Sequence, residues 1–492
     1  MGAAASTNKQ PSPPANENME EEAEAGGDRC CWSWLPEDVL LTVMGFMEVP
    51  DVVRSGAACS AWRAAAAAFR RLRLSTPRQP PCLLYACDAY GPDAAALYSP
   101  STAATFCVPF RIPRAVAGAA HGWLFATDDE ANPYLVNPVT GARATLPPIT
   151  TLDRVRSRET LVVGGGGGVV YGVDVSPTVG ENIRHITAER ARDWMFRRVA
   201  VSGSPSAAAG CVVLLVHMPF SELSFARPGD ARWTSLSGVA ELSFARAPNM
   251  AMVGDWGSIL AMGELHHRQY WTSIVHNHKN GLFYLLRHCG SIFSLDLTGG
   301  GAASSSSPSP VARTVLSSPS PHQYSSGPKP TQYLAVTPRG ELLRVTRRWH
   351  QTAIVAPPDA SNGRWHVEHA VATTGVEVEE IRTPPPPPLA TAASTATAIS
   401  VAGLGGCGDV ALFLGKSSAA CIPTEGFPML RPNCAYLTDD AGGDVVRSPA
   451  ARRDFGVWDF GSGRLQRLGD VWPLHHPWLY SPSPIWITPS LY

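Results

Sequence analysis

The sequence predicts a mainly β protein with a small α module near its amino end, and three observations lead there. Gly and Pro each number 44, so turns are dense. From about residue 80 onward, apolar residues come in short runs split by Gly, Pro, Asp and Asn, the pattern of strands and turns. Residues 34–75 differ, because their apolar positions recur at helical spacing.

In the β region one phrase recurs: an apolar run, a turn containing Gly, then a second extended run. It occurs at 134–147 (YLVNPVTGARATLP), 223–236 (LSFARPGDARWTSL), 282–297 (LFYLLRHCGSIFSLDL), 333–345 (YLAVTPRGELLRV) and 455–468 (FGVWDFGSGRLQRL). Each reads as a β-hairpin, with Gly supplying the positive φ that a tight turn requires. A lone hairpin is marginal in water, so a series of them must stack or close a ring to bury its apolar faces. Helical patterns between them are scarce, which argues against a parallel βαβ sheet. At about 40–50 residues per blade, residues 80–492 supply a β-propeller of about seven blades, with six to eight in range; a pair of β-sandwich domains is the competing architecture.

Three low-complexity inserts interrupt this region, near 164–168, 299–328 and 383–400. Their Gly, Ser and Pro content predicts surface loops. Residues 1–30 are poor in apolar side chains and carry the run MEEEAEAGGD, which predicts a disordered acidic tail ahead of a helical module at 31–75.

The chain is 45% hydrophobic with a net charge of -1, so it carries no electrostatic footprint for nucleic acid. The short basic clusters Arg70, Arg71 and Arg73, and Arg347 with Arg348, read as solvated faces. No apolar run is long enough to span a bilayer. The 11 cysteines are scattered and no secretory signal opens the sequence, so reduced thiols in the nucleus or cytoplasm are expected. The start MGAAAS matches the myristoylation pattern with Gly2 as acceptor, although an unmodified small-residue start accounts for it better. One acyl chain would anchor only reversibly.

In the helical module, Pro36 suits the first helical turn and Glu37 and Asp38 complement the helix dipole. Leu40, Val43, Met44 and Met47 form one apolar stripe, across a Gly45 that weakens the helix. Pro50 and Asp51 open a second helix in the same way. About forty such residues cannot form a stable core alone, so the stripe needs a partner in this chain or in another protein.

The stretch LPEDVLLTVMGFMEVPDVVRSGAACSAWRAAA resembles the F-box, in Leu35, Pro36, Glu37, Asp38, Leu40, Val43, Asp51, Cys59, Trp62 and Arg63. It departs from the family pattern at Ala58, Gly45 and Gly56. Segments of the β region, among them HGWLFATDDEANPYLVNPVTGARATLPPI, DVALFLGKSSAACIP and PIWITPSLY, are similar in the same order to signatures of a plant F-box-associated β-propeller family of undefined function. The resemblance implies a non-catalytic, substrate-recognition subunit of a Skp–cullin–F-box ubiquitin ligase. The F-box would dock the Skp adaptor, and cullin through it, while the propeller binds a target protein. Leu35 and Pro36 would start the docking surface, and Leu40, Val43, Val53, Cys59 and Trp62 would supply more of it or the packing beneath it. The alternatives are a propeller that is itself an enzyme or small-molecule receptor, and an adaptor-binding tether that builds no ligase.

Other motifs carry less. GKSS at 415–418 lacks the earlier Gly of a phosphate loop and reads as a strand entering a turn. His266, His267, His276 and His278 cluster in sequence, but they flank a predicted hairpin, and no metal or cofactor is expected. The two TDD runs, at 127–129 and 438–440, read as solvated turns.

Overall fold

The computed structural model describes residues 31–74, 79–113, 115–163, 166–176, 182–206, 210–242, 270–297, 310–317, 330–356, 366–382, 397–400, 406–438, 454–467 and 484–492. Gly2, the acidic tail, His266 and His267 lie outside these residues.

Three helices come first: α1 (Glu37–Met44), α2 (Val49–Ser55) and α3 (Ser60–Arg71). The first helix ends at Met44, earlier than the apolar stripe predicts, because Gly45 caps it, its N–H bonding the Leu41 carbonyl at 3.0 Å. Met47 therefore lies beyond the helix, and Gly45 interrupts nothing. Pro50 stands in the first turn of α2, where its missing N–H costs no hydrogen bond. Leu40, Met44, Val49, Val52, Trp62, Ala65, Ala66 and Phe69 form the module's own core, joined by Leu491 from the far end of the chain.

All five predicted hairpins are present, and the strands form six blades among the described residues. In the second, Val116–Ala120, Trp123–Thr127, Pro133–Val136 and Arg143–Thr145 run from the axis outward as an antiparallel meander. The third, from Phe196–Val201 to Thr234–Ser235, and the fourth, from Trp271–Asn277 to Val311–Leu316, repeat that plan. The fifth and sixth share one nine-stranded sheet, joined where Ala335 and Val336 pair in parallel with Ala419 and Ala420. The first blade draws its innermost strand, Ile485–Ile487, from the other end of the sequence, pairing it antiparallel with Cys82–Ala86. That pairing closes the ring and gives Cys82–Ala86 a strand partner on both sides.

Six blades rather than seven follow from one extra sheet. Val155–Val163, Gly166–Asp174 and Ile183–Thr187 form a three-stranded sheet beside blades two and three, followed by a fourth helix, α4 (Ala188–Trp194). The glycines at 166–168 are thus strand residues paired with Val163, Val162 and Leu161, where the sequence predicts a loop. Two more inserts hold strands. Ala312 and Val315 of Val311–Leu316 enter the core from the fourth blade's edge, and Thr397–Ser400 pairs with Glu379–Arg382 at the edge of the fifth. Edge strands need mainly backbone pairing, and β-branched Val and Thr suffice there.

Arg347 is the other correction. It lies 4% exposed and bridges the fifth and sixth blades, unlike its solvated neighbour Arg348. Its guanidinium donates to the Thr438 carbonyl at 3.0 Å, to Asp454 Oδ2 at 3.3 Å and to Thr373 Oγ1 at 2.9 Å. The backbone N–H and hydroxyl of Thr373 also donate to Asp454, so both buried charges are satisfied.

Candidate functional site

The helical module is fixed to the propeller along one side. Glu48, between α1 and α2, accepts from Ser101 Oγ at 2.5 Å and from Ser99 Oγ at 3.1 Å, in the turn of the first blade. Burial raises the Glu48 carboxyl above its ordinary range, and the two serine hydroxyls partly offset this. The Val49 N–H donates to Gln79 Oε1 at 2.7 Å. Arg54 of α2 lies over the Phe106 ring at 5.2 Å. At the end of α3, the Tyr492 hydroxyl donates to the Phe69 and Leu74 carbonyls at 3.2 and 2.9 Å, and Arg73 donates to the Ser206 carbonyl at 2.8 Å.

The other side is bare and apolar. Helix α1 is apolar over a wide arc: Leu40 and Met44 are buried, Val43 is half-buried and packed against the same core, and Val39, at the edge of that arc, is exposed. Phe46, just past the helix, is 82% exposed, and Trp34 of the short 3-10 turn Cys31–Trp34 is 74% exposed, beside an exposed Trp32. Four exposed large apolar side chains within fifteen residues of sequence are a candidate contact surface.

The sequence-predicted residues divide between these sides. Pro36 and Val53 are exposed, Leu35, Val43 and Cys59 half-buried, and Leu40 and Trp62 buried. The Trp62 Nε1 donates to the Trp32 carbonyl at 3.3 Å, which fixes the 3-10 turn on α3. Leu40 and Trp62 thus supply packing, and contact with a partner falls to the outer residues. Trp32, Trp34, Val39 and Phe46 escape a reading based on one stripe. Of these, Val39 carried a signal in the sequence, because it widens the apolar arc of α1 beyond the stripe. A cavity of about 240 Å³ beside α2 and α3 is lined by Val52, Val53, Ala66 and Leu491, with Arg63 and Arg70 also lining it.

The module sits over one face of the ring, against turns that hold Ser101, Val139 and Ser206. His121, His276 and His278 also gather at such turns, where His121 and His278 disfavour protonation of His276. Among the described residues, no group of three His, Cys, Asp or Glu side chains has metal-site geometry. GKSS forms the turn between Val410–Leu414 and Ala419–Pro423. The first TDD run is a turn in which Asp128 Oδ1 accepts from the N–H groups of Glu130 and Asn132 at 2.9 and 2.8 Å; Asp439 and Asp440 lie outside the described residues.

A family model described as "KIB1-4 beta-propeller" matches residues 97–459. The chain belongs to the KIB1-4 beta-propeller family. The match covers most of the ring and stops short of both the helices and the closing strand Ile485–Ile487. No curated protein matches the chain. Among solved structures, the Cps50 (Swd1) beta-propeller domain of Myceliophteria thermophila is 13% identical, with 55% of this chain and 81% of that one covered at a TM-score of 0.20. Regucalcin of Agrobacterium tumefaciens, a calcium-binding protein, is 12% identical, with 55% and 83% covered at a TM-score of 0.19. At such TM-scores neither bears on the fold or the site of the KIB1-4 propeller.

Proposed function

We propose that the chain is the substrate-recognition subunit of a Skp–cullin–F-box ubiquitin ligase, working in the nucleus or cytoplasm. The observation that carries this reading is the set of exposed apolar side chains on and beside α1. Leu40 and Met44 complete the module's core, while Val39, with Trp34 and Phe46 just outside the helix, is exposed. An apolar patch on a rigid helical support suits helix-in-groove recognition by an adaptor that leaves a matching groove open. The resemblance of residues 35–66 to the F-box names that adaptor as Skp.

The propeller then holds a target protein, and the subunit performs no chemistry. It raises the local concentration of target lysines near the charged conjugating enzyme. The clasp at Glu48 and the Tyr492 contacts support such a role, because a module rigidly fixed to the ring sets the distance between adaptor and target.

Co-purification of the tagged full chain from plant cells tests this. Recovery of Skp and cullin together is expected. Skp alone would instead indicate a tether, and neither would remove the F-box assignment.

A further inference from the structure

Helix α3 carries cations without counter-charges. Arg63 and Arg70 are exposed and seven residues apart, so they share one face of the helix with Ala66 between them. Arg70 Nε donates to the Ala66 carbonyl at 3.3 Å, and neither guanidinium has a carboxylate partner among the described residues. Arg63 stands in the first turn, where the helix dipole favours an anion, and that turn holds no acidic residue.

The same two arginines line the cavity of about 240 Å³ between α2, α3 and the end of the chain. Its other walls are mainly apolar, with Val52 and Val53 from α2, Ala66 from α3, and Leu491. The volume is several times the roughly 30 Å³ of one water molecule, room enough for a large side chain. An occupant that suits both features combines an apolar side chain with carboxylates directly beside it.

Such a stretch lies just ahead of the module. Residues 2–29 contain a single large apolar side chain, Met19, and Glu20, Glu21, Glu22 and Glu24 follow it closely. Methionine is unbranched and adapts to irregular gaps, and paired carboxylate and guanidinium groups form strong hydrogen bonds. The described chain begins at Cys31, and the Trp32 carbonyl accepts from Trp62 Nε1, next to Arg63. Twelve positions separate Met19 from Cys31. A chain of that length has a mean span of about 20 Å, and α3 carries Arg70 about 12 Å beyond Trp62. A tether that matches its span gives a local concentration on the order of millimolar, which a separate acidic peptide lacks.

We propose that residues 19–24 dock in this groove, Met19 filling the apolar cavity and the glutamates pairing with Arg63 and Arg70. The docked segment covers Val53, which the proposed function leaves to adaptor contact, and so shields that residue until an adaptor displaces it. That consequence rests on the proposed function; the docking itself does not.

Digestion of the purified full chain by a glutamate-specific protease, with no adaptor present, tests the docking. A synthetic peptide of residues 15–28, digested in parallel, is the reference, and mass spectrometry reads the cuts after Glu20, Glu21, Glu22 and Glu24. The full chain is expected to be cut there at least about threefold more slowly than the peptide, and to approach the peptide rate at about 0.5 M salt. Met19→Ser should be cut at the rate of its matching peptide. Arg63→Gln/Arg70→Gln should be cut at the peptide rate while keeping the wild-type Tm, because both arginines are exposed. Arg348→Gln, on the solvated edge of the fifth blade, should keep the protection. Cutting of the wild-type chain at the peptide rate would overturn the inference. So would protection that survives in the folded Arg63→Gln/Arg70→Gln variant, or protection that grows with protein concentration, which would place the segment on a second copy.

Discussion

Glu48 and Ser101 are joined by a 2.5 Å hydrogen bond that ties the helical module to the first propeller blade, across 53 positions of sequence. Because Ser99 also donates to this carboxylate, one side chain anchors the module to a turn of the ring. The module's inner face is thereby committed, which leaves its outer face as the free surface.

Replacing this carboxylate should loosen the module without unfolding the ring. Glu48→Ala is expected to cost about 1–2 kcal/mol of module docking, as hydrogen bonds to a charged acceptor are lost. Limited proteolysis should then cut between the module and the first blade sooner than in the wild type, while the propeller fragment stays resistant.

The buried pair of Arg347 and Asp454 should dominate the seam between blades five and six. Asp454→Ala leaves the guanidinium buried without its charge partner, and a loss of about 3–5 kcal/mol is expected. Arg348→Ala, one residue on, removes a solvated pair with Glu377 and should cost no more than about 1 kcal/mol. Chemical denaturation of the two variants compares them directly.

Stability should also fall in mild acid because of His276. Burial, reinforced by His121 and His278, lowers its pKa to about 4, against about 6.5 unfolded. Between those values the unfolded chain binds more protons, so stability drops as pH falls from about 6.5 and levels off below about 4. In His276→Gln the decline of Tm between pH 7 and pH 4.5 should be shallower than in the wild type.

Gly122 should tolerate no side chain. Its φ is +83°, and a Cβ there would stand 2.3 Å from Ser490 Cβ. Gly122→Ala is expected to destabilise by about 1–3 kcal/mol and to displace the segment that seats Leu491 against the helices. Thermal unfolding reads the first effect, and the proteolysis used for Glu48→Ala reads the second.

The hairpins were legible because their chemistry is local. Asn137 opens one turn by accepting from the N–H groups of Val139 and Thr140, and Gly141 closes it at positive φ. The helix starts at Pro36 and Pro50 were legible for the same reason. What escaped depends on distant pairing. Arg347 meets Asp454 across 107 positions, so next to Arg348 it looked like half of a surface cluster. The five-glycine run read as a loop because strand formation at Gly166–Gly168 comes from pairing with Leu161–Val163, and glycine has no side chain to signal it. The blade count follows from that same sheet. In the candidate site, the apolar content of α1 was visible, but which face the propeller occupies was not. Nothing in a one-dimensional pattern indicates that Leu491 fills the Leu40 side and leaves Phe46 outside.

The most direct measurement is equilibrium binding of purified Skp adaptor to the full chain and to a Val39→Ser/Phe46→Ser variant. Both residues are exposed, so the variant should keep the wild-type Tm while losing at least about tenfold in affinity. The double change Leu35→Ala and Pro36→Ala should abolish binding with the propeller still folded. No measurable binding of Skp by the wild-type chain, or undiminished binding by the folded Val39→Ser/Phe46→Ser variant, would contradict the account.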